Sequence, residues 1–222
     1  MLTTMLPNVD WEDMWEATVE TLYMTAISVG TTFILGIILG LLLFLTGKGN
    51  LWQNKAIHSV IAGFVNIFRS IPFIILIILL VPFTTWLIGT MLGANAALPA
   101  LIIGAAPFYS RMVEIALREI DKGVIEAAKS MGATDGQIIY KVLLPESLPA
   151  LISGITVTAI ALISYIAMAG VVGAGGLGTL AYLDGFQRYQ NDVTFVATVI
   201  ILIIVFIIQW IGDFLTQQTD KR

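Results

Sequence analysis

The chain has 222 residues, of which 58% are hydrophobic and only 12% are charged, and its formal net charge is -4. A soluble protein usually carries about 25% charged residues, so this chain could not cover a globule in water without large exposed apolar patches. The absence of cysteine excludes disulfide scaffolds and thiolate chemistry, and the acidic balance argues against a nucleic-acid partner. We therefore predict an integral membrane protein.

Charged residues leave four long gaps along the chain, and these gaps predict membrane-spanning helices. A helical span needs about 20 apolar residues. The gap 70–110 is twice that length, so it must turn back on itself near Pro82 to Asn95. Continuous apolar runs favour helices over the alternating strands of a membrane barrel. We predict an all-α, polytopic protein, one transmembrane domain over residues 1–222, with spans at about 21–45, 58–82, 95–115, 147–168 and 193–213.

The start of the second span stays open, because Arg69 interrupts it. A charge buried at the middle of a bilayer costs roughly 3 kcal/mol or more. Either the span begins close to Ser70, or Arg69 faces other protein or water. A third possibility is that Arg69 extends its side chain to the inner membrane surface.

The basic residues predict the orientation in the membrane. With five spans, the segments 46–69, 111–146 and 214–222 share one side and contain ten of the eleven Lys and Arg residues. The positive-inside rule places this side in the cytoplasm, with the N-terminus outside and the C-terminus inside. We expect a multi-pass protein of the cytoplasmic membrane, surrounded by membrane lipid.

The loop between the third and fourth spans, about 118–146, has a pattern of its own. Gly123 to Met131 is predicted to form a short helix, which Gly132 ends as a left-handed cap. Thr134 is predicted to begin a second short helix, with Gln137 completing a capping box. Pro145 is expected to end that helix or to start the next span. Because several apolar side chains of this loop would face the cytoplasm, we expect it to dock into a partner.

The spacing in this loop is similar to the signature of ABC importer permeases. Glu126-Ala127-Ala128 is followed by three residues and Gly132, then by nine residues and Val142, one residue, and Leu144-Pro145. Only Val142 departs from the usual isoleucine of that family. In the family, the loop is a coupling helix that lies in a groove of a separate ATP-hydrolysing subunit. The resemblance implies that ATPase coupling depends on Glu126, Ala127, Ala128 and Gly132.

Four further stretches resemble the methionine importer permeases, which have a minimal form of the type I importer fold. The resemblance implies a homodimer of this chain, two ATPase subunits and an extracytoplasmic methionine-binding protein. Because no Walker A sequence occurs, ATP hydrolysis is expected on another polypeptide, and this chain is not expected to be an enzyme. The four stretches are Arg69–Phe73, Gly104–Phe108, Arg111–Glu114 and Gly173–Gly178.

The fourth span contains uncharged hydrogen-bonding side chains, which predict a translocation path. The resemblance implies that this span lines the pore at the dimer axis, with Met168 at its outer end as a gate. The alternative for each hydroxyl is a hydrogen bond between helices. The residues predicted for the path are Ser153, Thr156, Ser164, Tyr165 and Met168, with Thr158 as a further hydroxyl in the span.

A glycine-rich segment follows the fourth span. Its G-x-G-x-x-G spacing does not indicate a dinucleotide site, because no alternation of strands and helices surrounds it. Two interpretations remain, a tight turn with close backbone packing or an outer lid that contacts the binding protein. Since His58 is the single histidine, neither a metal site nor a serine–histidine catalytic site is expected, and no cofactor is expected. The glycines are Gly173, Gly175, Gly176 and Gly178.

These observations favour the membrane subunit of an ATP-driven amino-acid importer that works by alternating access, with methionine as the favoured substrate. The alternative is a secondary transporter or channel for a small amino acid that needs no ATPase. That alternative is weakened because no acidic residue within the spans forms an obvious proton relay. A third class is a membrane anchor or assembly factor without transport. The choice of methionine depends on the resemblance alone.

Overall fold

A computed structural model describes residues 6–220, which form helices joined by short turns, with no strand in this range. Lys221 and Arg222, two of the basic residues on the predicted cytoplasmic side, lie outside the described residues. The elements are α1 (Trp11–Thr46), α2 (Lys55–Ser70), α3 (Phe73–Leu79), α4 (Val81–Ile88), α5 (Ala94–Arg118), α6 (Lys122–Ser130), α7 (Asp135–Ile138), the π-helical turn π1 (Ile139–Leu143), α8 (Leu144–Val171), α9 (Gly176–Thr179), π2 (Leu180–Gln187) and α10 (Asn191–Thr219).

Among the described residues, four helices are long and apolar enough to cross a membrane, and a broken pair gives up to five. The four are α1, α5, the continuous helix Asp135–Val171 and α10, and the broken pair is α2 with α3. The all-α prediction is confirmed. The four long helices extend beyond the predicted spans at both ends. The largest differences are at the starts of Asp135–Val171, twelve residues before the predicted residue 147, and of α1, ten residues before the predicted residue 21.

The second predicted span, 58–82, is not one continuous helix. Helix α2 ends at Ser70 and α3 begins at Phe73, with Pro72 in an extended conformation between them. A proline disfavours helical geometry in the residue before it, which explains the break at Ile71. Arg69 lies in the last turn of α2 with its side chain exposed, so the charge is not buried within the chain.

The fourth predicted span, 147–168, begins earlier than expected. Helix α7 continues through π1 into α8, so the second short helix does not end before the span. Of the two alternatives predicted for Pro145, the start of the next span agrees with its place as the second residue of α8. Proline has no N–H to donate to the carbonyl four residues before it. The wider π turn that precedes Pro145 accommodates this gap, with the Leu144 N–H donating to the Ile139 carbonyl.

The chain forms two compact units. The first consists of the described residues up to Thr31, Ile71–Ala105 and Ala159–Gln209. Its core has two apolar clusters, one around Leu101, Leu162 and Ala169 and one around Met14, Leu177 and Ala197, all of them almost fully buried. In the first cluster small alanines from α5 and α8 alternate with larger side chains, which lets the helices approach closely.

The second unit consists of Thr32–Ser70, Ala106–Thr158 and the residues from Trp210 onward. Tyr109 is fully buried at its centre, where the ring stacks on Phe33 with centroids 5.9 Å apart. The Tyr109 hydroxyl donates to the Leu151 carbonyl at 3.1 Å, so the buried polar group is satisfied. The Tyr109 ring packs directly against Gly36, where any larger residue would overlap the ring with its side chain.

Candidate functional site

The loop 118–146 folds as a short helix, a glycine turn and a second helix start, all within the second unit. The Asp121 carboxylate accepts from the Gly123 N–H at 2.7 Å and caps α6. After α6, Gly132 adopts a φ of +81°, the left-handed conformation predicted for it. Thr134 and Gln137 form the predicted capping box at the start of α7. The left-handed turn at Gly132 and the capping box at Thr134 are therefore confirmed.

The loop has one face buried against its own unit and one face exposed. Ala128 and Ile138 are buried in the apolar core of the second unit. Met131 and Tyr140, two large apolar side chains, are 82% and 75% exposed. Of the residues predicted to couple to an ATPase, Ala128 faces inward, and Glu126, Ala127 and Gly132 are exposed. The buried face holds the loop in place, and the exposed face is available to a partner.

Helix α8 carries the residues predicted for the translocation path, and they do not share one environment. Ser153 and Ser164 are exposed and lie eleven residues apart, about three turns, so both are on one face of the helix. The Ser153 hydroxyl lies 3.2 Å from that of Thr216 in α10. Thr156 is buried, donates to the Ile152 carbonyl and packs where Gly212 lacks a side chain.

Two larger side chains near the C-terminal end of α8 belong to the first unit. The Tyr165 ring stacks on Phe73 with centroids 4.5 Å apart and planes 5° from parallel. Met168 is partly buried and packs against the cluster that contains Leu101 and Leu162. Both side chains are therefore held by packing while keeping part of their surface exposed.

The glycine-rich segment is tightly packed within the first unit. The Gly176 N–H donates to the Glu20 carboxylate at 2.6 Å, and the Leu177 N–H donates to the Thr21 hydroxyl at 2.9 Å. A Cβ on Gly178 would lie 2.5 Å from the Ala167 carbonyl oxygen, so only glycine fits there. These contacts support the interpretation as close backbone packing, and the role as an outer lid stays a prediction.

Comparison with known proteins identifies the class of molecule. Residues 32–221 match the family described as the binding-protein-dependent transport system inner membrane component. The chain belongs to this family. It is 70% identical to the methionine import system permease protein MetP of Bacillus subtilis (strain 168), over the full length of both chains. It is 49% identical to the probable D-methionine transport system permease protein MetI of Pasteurella multocida (strain Pm70), over 98% of this chain and 100% of the relative.

A solved structure shows the same fold. The chain matches a structure described as inward facing conformations of the MetNI methionine ABC transporter, in the native crystal form, with a TM-score of 0.93. The two chains are 44% identical, and the match covers 96% of this chain and 100% of the other. The protein is thus a multi-pass membrane permease subunit of an ABC importer with the type I fold. The orientation of its termini stays a prediction.

A hydrogen bond to the loop 118–146 and a pair of ion pairs in the helix before it were not found from the sequence. The Trp52 indole N–H donates to the Asp135 carboxylate at 2.9 Å, which ties the turn after α1 to the first turn of α7. These residues are 83 positions apart, so no local pattern indicates the bond. At the end of α5, the buried Glu114 carboxylate lies 2.5 Å from both Arg111 and Arg118. The spacing of three and four residues is the helical signal that could have predicted this pair of bridges.

Glu114→Gln is expected to destabilise the permease by about 2 kcal/mol. The Glu114 side chain is 1% exposed, whereas Arg111 and Arg118 are 34% and 56% exposed. Water can therefore solvate the two arginines after their ion pairs are lost, which reduces the destabilisation. Glutamine keeps the volume and removes only the charge. The midpoint of SDS-induced unfolding in detergent micelles measures the effect. Glu119→Gln, at an exposed carboxylate directly after the end of α5, is the control and should leave the midpoint unchanged.

Proposed function

We propose that this permease imports methionine across the cytoplasmic membrane, driven by ATP hydrolysis on separate ATPase subunits. Two copies of the chain form the translocation path, two ATPase chains bind on the cytoplasmic side, and a binding protein delivers the amino acid from outside. The 70% identity to a methionine import permease over the whole length of both chains supports the substrate. The match to a methionine ABC transporter permease supports the assembly.

The observation that carries the coupling mechanism is the two-faced loop 118–146. Its inner face is anchored in the second unit, and Met131 and Tyr140 are left exposed on its outer face. An exposed apolar surface of this kind on a rigid element is suited to a groove in a partner. Closure of the ATPase pair pulls on the loop, and the loop moves α8 directly because Asp135–Val171 is one continuous helix.

The exposed side of α8 is the proposed lining of the path. Ser153 and Ser164 offer uncharged hydrogen-bonding groups on one helix face. Met168 and Tyr165 near the C-terminal end of α8 form the gate, because a flexible thioether beside an aromatic ring can seal an apolar gap and then yield. Thr156 contributes to the packing of α8 on Gly212 rather than to the lining.

Uptake in proteoliposomes tests the proposal. The permease is co-purified with candidate ATPase chains and reconstituted, and the binding protein is added outside with radiolabelled methionine. We expect uptake that requires ATP inside the vesicle and is reduced by unlabelled methionine but not by an equal excess of leucine. Uptake by the permease alone, driven only by an ion gradient, would instead identify a secondary transporter.

A further inference from the structure

A basic cavity lies in the second unit, lined in part by the first residues of the loop 118–146 but not by Met131 or Tyr140. Its volume is about 800 Å³. Four cationic side chains line it, and they come from three separate parts of the chain: the turn after α1, the start of α2, and the connection from α5 to α6. They are Lys48, Lys55, Arg118 and Lys122.

Three of the four positive charges of this cavity have no acidic partner among the described residues. No aspartate or glutamate of the described residues is among the residues that line it. Within residues 6–220, Lys48, Lys55 and Lys122 form no ion pair, and Arg118 alone is paired, with Glu114. Like charges that converge on one concave site repel one another and attract an anion to the site.

The wall of the cavity is mixed, with polar side chains at Thr46, Asn50 and Gln53 and an apolar part that favours an anion carrying an apolar group. Phe44, Ile120 and Ile125 line it together with the basic residues. His58 also lines it, and its Nδ1 lies 3.1 Å from the Leu43 carbonyl oxygen, which fixes the orientation of the ring. A site with cationic and apolar walls suits a phosphate group attached to an apolar body better than it suits a free inorganic ion.

The neighbouring surface of α2 indicates where that apolar body would lie. From the rim of the cavity, α2 presents an exposed apolar stripe at helical spacing, formed by Ile57, Val60 and Phe64. In a membrane, a stripe of this kind suits contact with acyl chains. The cavity is at the end of this helix, on the side that the positive-inside rule assigns to the cytoplasm.

We propose that this cavity binds the phosphate headgroup of an anionic phospholipid from the cytoplasmic leaflet, with its acyl chains along the α2 stripe. Basic pockets at the cytoplasmic ends of membrane helices suit such headgroups, and each Lys or Arg near the surface strengthens binding several-fold. Because Lys122 begins α6, a lipid bound here stabilises the connection from α5 into the loop 118–146. The proposal is independent of the transported substrate.

Native mass spectrometry of the full chain in detergent, titrated with phosphatidylglycerol or phosphatidylcholine, tests the proposal. We expect one phosphatidylglycerol per chain to bind at concentrations at which phosphatidylcholine does not. The double variant Lys48→Gln, Lys55→Gln should weaken this binding about thirtyfold. The matched control is Lys129→Gln, Lys141→Gln, which removes two exposed charges from the same predicted side, outside the cavity, and should weaken it less than threefold.

Three outcomes would overturn the proposal. If the two double variants weakened phosphatidylglycerol binding equally, binding would depend on the total positive charge of the chain and not on this cavity. Displacement of the bound lipid by millimolar inorganic phosphate would assign the site to a soluble anion. Loss of the lipid when the ATPase chains assemble on the permease would show that the cavity belongs to the protein interface. Circular dichroism of each variant shows that its helical content matches that of the wild type.

Discussion

Gly132→Val is expected to reduce ATP-driven uptake roughly tenfold or more while the permease still inserts and folds. Gly132 has a φ of +81°, and a β-branched residue adopts that conformation only at a cost of roughly 1–2 kcal/mol. No atom lies within 4 Å of a Cβ built on Gly132, so the effect comes from the backbone and not from a clash. Valine would let α6 continue past Met131 and turn the exposed face of the loop away from the proposed ATPase groove.

Two further variants distinguish backbone strain at Gly132 from the effect of adding a bulky side chain. Gly136 also has open space around its Cβ but has no positive φ, so Gly136→Val adds the same side chain without the backbone strain. Asparagine tolerates the left-handed conformation better than other residues with side chains, so Gly132→Asn should retain much of the uptake. Uptake and ATP hydrolysis are measured together in proteoliposomes. If Gly136→Val lost as much uptake as Gly132→Val, the left-handed turn would not be the cause.

The loop around Gly132 could be predicted from the sequence because its determinants are local. A helix cap needs one residue type at one position, and Gly132 and Thr134 each supply it within the segment that they shape. The apolar gaps predicted the helices for a similar reason, since a helix in lipid satisfies all its backbone groups internally. Pro72 is also a local signal, and it indicates the break after Ser70. The prediction of one continuous span missed this break because the gap 70–110 contains no charged residue.

The contacts between helices could not be predicted in this way. Thr156 was a candidate for the path because a hydroxyl in an apolar helix is conspicuous, but its position is set by Gly212, 56 residues later. Trp52 and Asp135 are joined across an even longer separation. Such pairs depend on how helices cross, which the periodicity of one segment does not determine. For the same reason the four cations of the basic cavity appear in the sequence only as scattered positive charges on one side of the membrane.

Gly178→Ala is expected to have the largest effect on folding, a loss of about 3 kcal/mol or more. An added Cβ would lie 2.5 Å from the Ala167 carbonyl oxygen and 2.6 Å from the Ala167 Cα, and both are backbone atoms of α8 that cannot rotate away. Gly170 is the reciprocal contact, since a Cβ there would lie 2.5 Å from the Thr179 nitrogen. Two backbones therefore meet without side chains between them, beside the helix end that carries Met168.

The control for this variant is Gly30→Ala in α1, where a Cβ meets nothing within 4 Å. Alanine is favoured over glycine within a helix, so this change should leave stability unchanged or raise it by up to about 1 kcal/mol. SDS-induced unfolding of the purified chains, followed by circular dichroism, compares the two midpoints. A Gly178→Ala protein that unfolded at the same midpoint as Gly30→Ala would mean that α9 can move off α8 freely. The glycine segment would then act as a mobile lid and not as a fixed part of the helix packing.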